Sequence, residues 1–138
     1  MPLCFAYGAN ISVNAMSGRC PRSRVLCLAR LEQHRLAVMH EGWLTVVRDR
    51  RAAVYGVLWD LDQTDVPTLD RYEGWSQGLY VKVLRSVITP TGAKRALVYL
   101  GANAGPGRAL PDYLAEIIAA AREWPFPAEA IASLERLR

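Results

Sequence analysis

The chain has 138 residues, enough for one domain with its own hydrophobic core, and 51% of these residues are apolar. This composition excludes a disordered or fibrous protein, and no apolar run approaches the roughly 20 residues that span a membrane. The net charge of +4 comes with one dense basic cluster, Arg48 to Arg51, which Asp49 interrupts. We expect a solvated hairpin tip there and no nucleic-acid binding, because a wide basic stripe with interleaved aromatic residues is missing.

The first half of the chain predicts strands around one short helix. Leu3 to Tyr7 is typical of a buried strand, residues 8–10 break it, and Ser12 can N-cap a short helix. Gly56 inside a later strand indicates a bulge or a close backbone approach. Further strands are predicted on both sides of a turn at Gln33-His34 and of the Arg-rich cluster, namely at 24–31, 35–40, 43–48 and 52–61.

The second half predicts a central helix, a hairpin and two C-terminal helices. Asp62 begins a helix that continues to Tyr72, and a hairpin follows with strands at 79–88 and 94–100 and a turn at 89–92. Asp112 is expected to cap a helix with one apolar face, and Pro127 begins the last helix. Strands joined by hairpins predict an α+β protein whose mostly antiparallel sheet can curl into a barrel.

The cysteines and histidines indicate the compartment and argue against a metal. Cys4, Cys20 and Cys27 are an odd number without CxxC spacing, which favours packing roles in a reducing compartment. The N-terminus lacks the pattern of a signal peptide, so we predict a cytoplasmic protein. His34 and His40 form no ligand set with the cysteines, and we predict no metal site.

Two segments are candidates for a functional site. Glu73 lies between the central helix and a strand, where side chains tend to project into clefts, although a surface glutamate before a C-cap glycine is the plainer alternative. Tyr7 to Ile11 lies between a strand and a helix start, where backbone N–H groups can bind an anion; an ordinary turn is the alternative. Asp70 either lies on a solvated face or orients the Glu73 turn.

Several segments together resemble the γ-glutamylcyclotransferase-like family over nearly the whole chain. The pairing of a YGxN loop with an LDxxEGxxxxxY segment is fairly specific, whereas either half alone is weak. In chain order the segments are Tyr7-Gly8-Ala9-Asn10, Met16-Ser17-Gly18-Arg19-Cys20-Pro21, Val54-Tyr55-Gly56-Val57-Leu58-Trp59, Leu69-Asp70-Arg71-Tyr72-Glu73-Gly74 with Tyr80, Val98-Tyr99, and Tyr113-Leu114.

The resemblance implies one domain over residues 1–138, a small mostly antiparallel β-barrel flanked by helices. It also implies release of 5-oxoproline from a small γ-glutamyl amine or γ-glutamyl amino acid, without metal or cofactor. The family's catalytic glutamate falls on Glu73 and its later tyrosine on Tyr80. Its anion-binding loop falls on Tyr7, Gly8, Ala9, Asn10 and Ile11, where Ala9 replaces the family's usual serine.

The implied chemistry agrees with first principles. A γ-glutamyl amide carries its own nucleophile, the α-amino group, and a folded substrate brings that amine close to the γ-carbonyl. Glu73 could take a proton from the amine and return one to the leaving group, if partial burial raises its pKa. Two alternatives stay open: a protein that binds an anionic metabolite in the same cavity without turnover, and a cyclotransferase dedicated to removing a γ-glutamyl protecting group in one pathway.

Overall fold

Five strands close into a barrel. The computed structural model describes residues 2–138, with strands β1 (Leu3–Ala6), β2 (Arg24–Val38), β3 (Leu44–Asp60), β4 (Tyr80–Thr89) and β5 (Gly92–Gly101). The order around the barrel is β1-β3-β2-β4-β5. Neighbours pair antiparallel, except that β1 and β5 are parallel where the barrel closes. The predicted α+β class and mostly antiparallel barrel are confirmed.

Four α-helices accompany the barrel: α1 (Val13–Arg19), α2 (Val66–Tyr72), α3 (Pro111–Arg122) and α4 (Ala128–Glu135). The predicted cap at Ser12 is confirmed, since its Oγ accepts a hydrogen bond from the Ala15 N–H at 3.1 Å. The predicted cap at Asp112 is wrong. Leu110 is the N-cap of α3, because Pro111 lacks an N–H and fits the first helical position, which leaves Asp112 in the first turn.

The predicted turns at Gln33-His34 and in the Arg-rich cluster are also wrong. Both β2 and β3 continue through these segments, and the chain reverses at residues 39–43 instead, where the Met39 N–H donates to the Trp43 carbonyl. The pairing is irregular here: Glu32 opposes Ala53, but two residues later His34 opposes Arg48, five residues earlier on β3. These two polar segments therefore lie where the paired strands β2 and β3 bend, because a bulge bends a strand without ending it. We call this pair the β2–β3 ribbon and the bend its kink.

The apolar side chains of the strands and helices meet in one core. The face of α3 predicted to point inward is buried, with Leu114, Ile117, Ile118 and Ala121 at most 2% exposed. In α2, Leu69 is fully buried, which holds this helix against the barrel. No helix within residues 2–138 is both long enough and apolar enough to cross a membrane.

Gly56 provides a test of the barrel packing, because β3 approaches β1 closely at this residue. A Cβ atom at Gly56 would lie 2.3 Å from the Ala6 carbonyl oxygen and 2.7 Å from the Phe5 ring, so the predicted close approach is confirmed. We expect Gly56→Ala to lower the free energy of unfolding by about 1 to 3 kcal/mol, measured by urea denaturation, as for overpacked cores.

Gly18→Ala is the matched control for this substitution. Gly18 lies in α1, and a Cβ atom there would meet nothing within 4 Å. Because alanine favours a helix over glycine by about 1 kcal/mol, Gly18→Ala should leave stability unchanged or raise it. Equal stability of Gly56→Ala and the parent chain would contradict the close packing of β3 on β1.

Candidate active site

One cavity of about 150 Å³ brings both candidate segments together. Its lining includes Glu73, Tyr80 and four of the five loop residues, Tyr7 to Asn10. Ile11 does not line it, because its side chain is buried in the core and its N–H donates to the Gly8 carbonyl at 3.0 Å. The sequence assigned no role in the site to the remaining lining residues, which are Cys4, Phe5, Ala6, Trp43, Leu44, Tyr72, Leu79, Tyr99 and Tyr113.

The end of α2 positions Glu73. Glu73 is the C-cap residue of this helix, and its N–H donates to the Leu69 carbonyl at 2.9 Å. The next residue, Gly74, adopts a φ of 67°, a left-handed conformation that glycine tolerates best and that ends many helices. The chain therefore turns away directly after Glu73, and the glutamate side chain borders the cavity.

Asn10 joins the loop to the glutamate. Its side-chain Nδ2 donates to Glu73 Oε1 at 3.1 Å, while its Oδ1 accepts from the Arg19 guanidinium at 2.5 Å. Its backbone carbonyl accepts from the indole N–H of Trp59 at 3.0 Å. Because both ends of the amide have partners, the orientation of Asn10 is fixed with its donor toward Glu73.

Arg19 is a site residue that the sequence reasoning missed. It is the last residue of α1, and its guanidinium lies 3.9 Å from the centre of the Tyr72 ring, a cation–π arrangement. The residue belonged to the Met16 to Pro21 segment that carried part of the family resemblance. Its place in this family-like segment was the signal in the sequence that pointed to Arg19. Nothing in the local sequence indicated that Arg19 contacts Asn10.

The environment of Glu73 changes its protonation. Burial raises the pKa of the Glu73 carboxyl from its ordinary 4.5 to about 7, with a small further contribution from the charge of Asp70. The charge of Arg19 and the hydrogen bond from Asn10 act in the opposite direction, but they are weaker than burial. At neutral pH the group is therefore present in both forms, which suits a residue that must first accept and then donate a proton.

Several tyrosines line the same cavity as the carboxyl. The Tyr7 hydroxyl donates to the Tyr99 carbonyl and the Tyr80 hydroxyl to the Leu44 carbonyl, both at 2.6 Å. Tyr113 accepts from the Leu44 N–H at 3.1 Å. Burial raises the pKa of Tyr7 and Tyr80 above the ordinary value, so both stay neutral. With their protons committed to carbonyl groups, Tyr7 and Tyr80 can offer lone pairs to a ligand.

Asp70 belongs to a network behind the site and not to a solvated face. Its Oδ1 accepts from the Tyr99 hydroxyl at 2.6 Å, and its Oδ2 pairs with Lys82 Nζ at 3.0 Å. Lys82 also lies 4.8 Å from the centre of the Trp75 ring. These contacts tie α2 to β4 and β5, and they hold the helix that carries Glu73.

The glycine loop presents backbone donors near the same cavity. Gly8 precedes a 3-10 turn at Ala9–Ile11, in which the Ile11 N–H is the first to bond, to the Gly8 carbonyl. The N–H groups of the three preceding residues, Gly8 to Asn10, consequently have no acceptor within this turn. Trp124 supports the loop from the C-terminal segment, since its indole N–H donates to the Ile11 carbonyl at 3.2 Å.

Cys4 lines the cavity but is unsuited to act as a nucleophile. Burial raises the pKa of its thiol far above the ordinary value, which keeps it protonated. Cys4, Cys20 and Cys27 are all free. Among residues 2–138, no group of three or more His, Cys, Asp and Glu side chains is placed to hold a metal ion.

Comparisons with known proteins agree with the geometry. A model of the AIG2-like family matches residues 53–134. The human protein named γ-glutamylcyclotransferase is 29% identical, covering 92% of this chain and 73% of its own length, and its mouse counterpart is 30% identical with the same coverage. A solved structure named γ-glutamyl cyclotransferase superposes with a TM-score of 0.91 at 26% identity, over 99% of this chain and 88% of that one.

The raised pKa of Glu73 predicts that this residue destabilises the fold at neutral and alkaline pH. A pKa of about 7 in the folded chain, against 4.5 in the unfolded chain, means that the folded state binds more protons between these values. Stability is therefore lost as the pH rises through this window, by up to about 3 kcal/mol. We expect Glu73→Gln to unfold at a higher urea concentration than the parent chain at pH 8.

The same comparison at low pH is the internal control. Below the unfolded pKa of 4.5 the glutamate is protonated in both states, so the difference between Glu73→Gln and the parent should become small. A difference that stays the same across this pH range would show that burial does not perturb Glu73 in the folded chain.

Proposed function

Because the chain belongs to the AIG2-like family and is an enzyme of the γ-glutamylcyclotransferase kind, we propose the following reaction for it. The enzyme converts a small γ-glutamyl amine or γ-glutamyl amino acid into 5-oxoproline and a free amine. The observation that carries this proposal is the Glu73 carboxyl, held by Asn10 in a cavity where its pKa is about 7. A group of that pKa can both take up and release a proton during one turnover at neutral pH.

The proposed reaction needs one carboxylate and a folded substrate. Glu73 takes a proton from the substrate's α-ammonium group, and the freed amine attacks the γ-carbonyl carbon to close a five-membered ring. Glu73 then gives this proton to the amide nitrogen, and the carbon–nitrogen bond breaks. The ring nitrogen loses its second proton, which the departing amine takes up, so the products are 5-oxoproline and an ammonium ion. The cavity holds the substrate chain in the folded geometry. The substrate therefore loses its conformational entropy on binding, and this loss does not add to the barrier of the ring closure.

The polar groups around Glu73 fit the ends of a γ-glutamyl group. The α-carboxylate, or the oxyanion that develops at the γ-carbonyl, would accept hydrogen bonds from the N–H groups of Gly8 to Asn10. The α-amino group would donate to the lone pairs of Tyr7 or Tyr80, whose own protons point to backbone carbonyls. Each polar group of the desolvated substrate end would then have a partner, as burial requires.

A groove beside the cavity is the proposed place of the leaving amine. It shares Ala9, Trp43, Tyr72 and Tyr113 with the cavity, and its outer part is lined by polar residues that include Arg19, Asn14, Glu116 and Glu123. Both charge signs are present there, so the groove can accept the ammonium and the carboxylate of an amino acid. A narrow substrate range would indicate an enzyme dedicated to one pathway.

The names of the relatives support an enzyme over the alternative of a non-catalytic binding protein. Because proteins up to 30% identical over most of this chain are named as cyclotransferases, we do not propose a non-catalytic binding protein.

We further propose that the chain acts as a single domain, since its barrel closes within the described residues. The free cysteines favour work in the reducing cytoplasm.

Loss of the Glu73 carboxylate should abolish proton transfer. A screen of γ-glutamyl amino acids, γ-glutamyl amines and glutathione for 5-oxoproline release would identify the best substrate. On that substrate we expect Glu73→Gln to lower kcat at least about a hundredfold, the usual scale for a general acid–base group. Glu32→Gln, on the exposed surface of β2, is the matched control and should keep its activity. Near-normal turnover by Glu73→Gln would remove Glu73 from the mechanism.

The loop tests whether backbone or side chain binds the substrate. If the γ-glutamyl end is held mainly by backbone N–H groups, a hydroxyl at residue 9 adds at most one neutral hydrogen bond, worth about 1 kcal/mol. We therefore expect Ala9→Ser to change kcat/KM by less than about tenfold. A gain of about a hundredfold or more would mean that Ala9 leaves a substrate group without its partner and that the backbone account is wrong.

A further inference from the structure

A second, strongly basic groove lies at the kink of the β2–β3 ribbon. It has a volume of about 920 Å³, within the size range of small-molecule sites. Its lining shares no residue with the active-site cavity. The charged residues that line it are Arg48, Arg50, Arg51, Arg85, Arg136, Glu32 and Glu129.

The kink explains why so many arginines converge. In a regular strand, consecutive side chains point to opposite faces of the sheet, so Arg50 and Arg51 could not border one groove. Here the pairing of β2 with β3 jumps between Glu32 and His34, and Gln33 adopts a φ of 61°. The irregularity lets neighbouring arginines of β3 face the same space, which Arg85 of β4 and Arg136 after α4 also line.

Two glutamates line the groove with these five arginines, but none of the arginines has an ion-pair partner in the described part of the chain. Asp49, which interrupts the basic run in sequence, pairs instead with Arg35 at 3.7 Å and accepts a hydrogen bond from the Arg51 N–H. The two glutamates of the groove also have partners: Glu32 pairs with Arg30, and Glu129 accepts from the Tyr55 hydroxyl.

Arg85 adds an observation of a different kind. Its Nη1 donates to the Leu84 carbonyl at 3.1 Å, but its Nε is buried and has no hydrogen-bond partner within the described residues. A buried donor without an acceptor is costly, and native proteins leave few of them. A ligand with acceptor oxygens can satisfy this donor only if the Arg85 side chain turns toward the groove that this residue lines.

We propose that this groove binds a small molecule that carries a chain of phosphate groups. Guanidinium groups match phosphate oxygens in a bidentate geometry and keep their charge at every physiological pH. With its two glutamates, the groove has an excess of three positive charges from three segments of the chain, which a single carboxylate or phosphate cannot neutralise. A linear triphosphate presents several oxyanion groups along one axis, and it occurs both as inorganic triphosphate and in nucleoside triphosphates.

The site is independent of the cyclotransferase proposal, because none of its arginines lines the catalytic cavity. The test is titration calorimetry of the full chain with inorganic triphosphate at about 50 mM salt, where ionic contacts are weakly screened. We expect a Kd below about 100 µM. ATP is the second probe: equal affinity identifies the phosphate chain alone as the ligand, and tighter binding of ATP identifies a nucleotide.

Matched double variants distinguish specific binding in the groove from attraction by the overall positive charge of the protein. Arg50→Gln with Arg85→Gln should weaken triphosphate binding at least about tenfold, because both lose charge-assisted hydrogen bonds. Arg24→Gln with Arg122→Gln removes the same charge outside the groove and should change the Kd by less than about threefold. If the loss of Arg85 perturbs folding, Arg48→Gln with Arg50→Gln replaces the first variant, since both of these residues are exposed.

Three results would overturn the proposal. The parent chain could fail to bind either probe with a Kd below about 100 µM, which would leave only weak surface ion contacts. Both double variants could lose affinity equally, which would show attraction by net charge alone. A single-stranded RNA or an acidic peptide could bind at least about tenfold more tightly than triphosphate, which would assign the groove to a macromolecule.

Discussion

The hydrogen bond from Asn10 to Glu73 is the contact on which the candidate active site depends, because it joins two segments that lie 63 residues apart in the chain. Arg19 and Trp59 hold Asn10 from its other sides, so the amide presents its donor to the carboxyl. Aromatic walls disfavour the charged form of a carboxyl. The charge of Arg19 and the neutral donor of Asn10 offset that effect only in part, so the pKa of Glu73 is raised to about 7.

The position of Glu73 also depends on Leu69 and Asp70, which do not line the cavity. The helix that carries Glu73 has only seven residues, too few to be stable without tertiary contacts. Leu69 anchors it in the core, and Asp70 connects it to Tyr99 and Lys82 on two strands of the barrel. The carboxyl can remain in an unfavourable environment because the barrel packing and this ionic network leave the helix end no alternative position.

The kink in the β2–β3 ribbon shapes a second part of the molecule. It allows two strands of 15 and 17 residues to bend within a small barrel. The same irregularity turns Arg50 and Arg51 toward one groove. The barrel thus carries a cavity of mostly neutral, aromatic character and, apart from it, a groove of unpaired positive charge.

Local signals in the sequence were sufficient where turn chemistry decides the structure, as at Ser12, at the turn between Thr89 and Gly92, and at Pro127. The family resemblance identified Glu73 and the glycine loop as candidates. The partners of Arg19 and Asp70 could not be predicted, because they are distant in sequence and only barrel closure brings them together. Whether the Arg-rich run ends a strand or bends it was likewise decided by tertiary structure, since hydrogen bonds to the neighbouring strand determine the outcome.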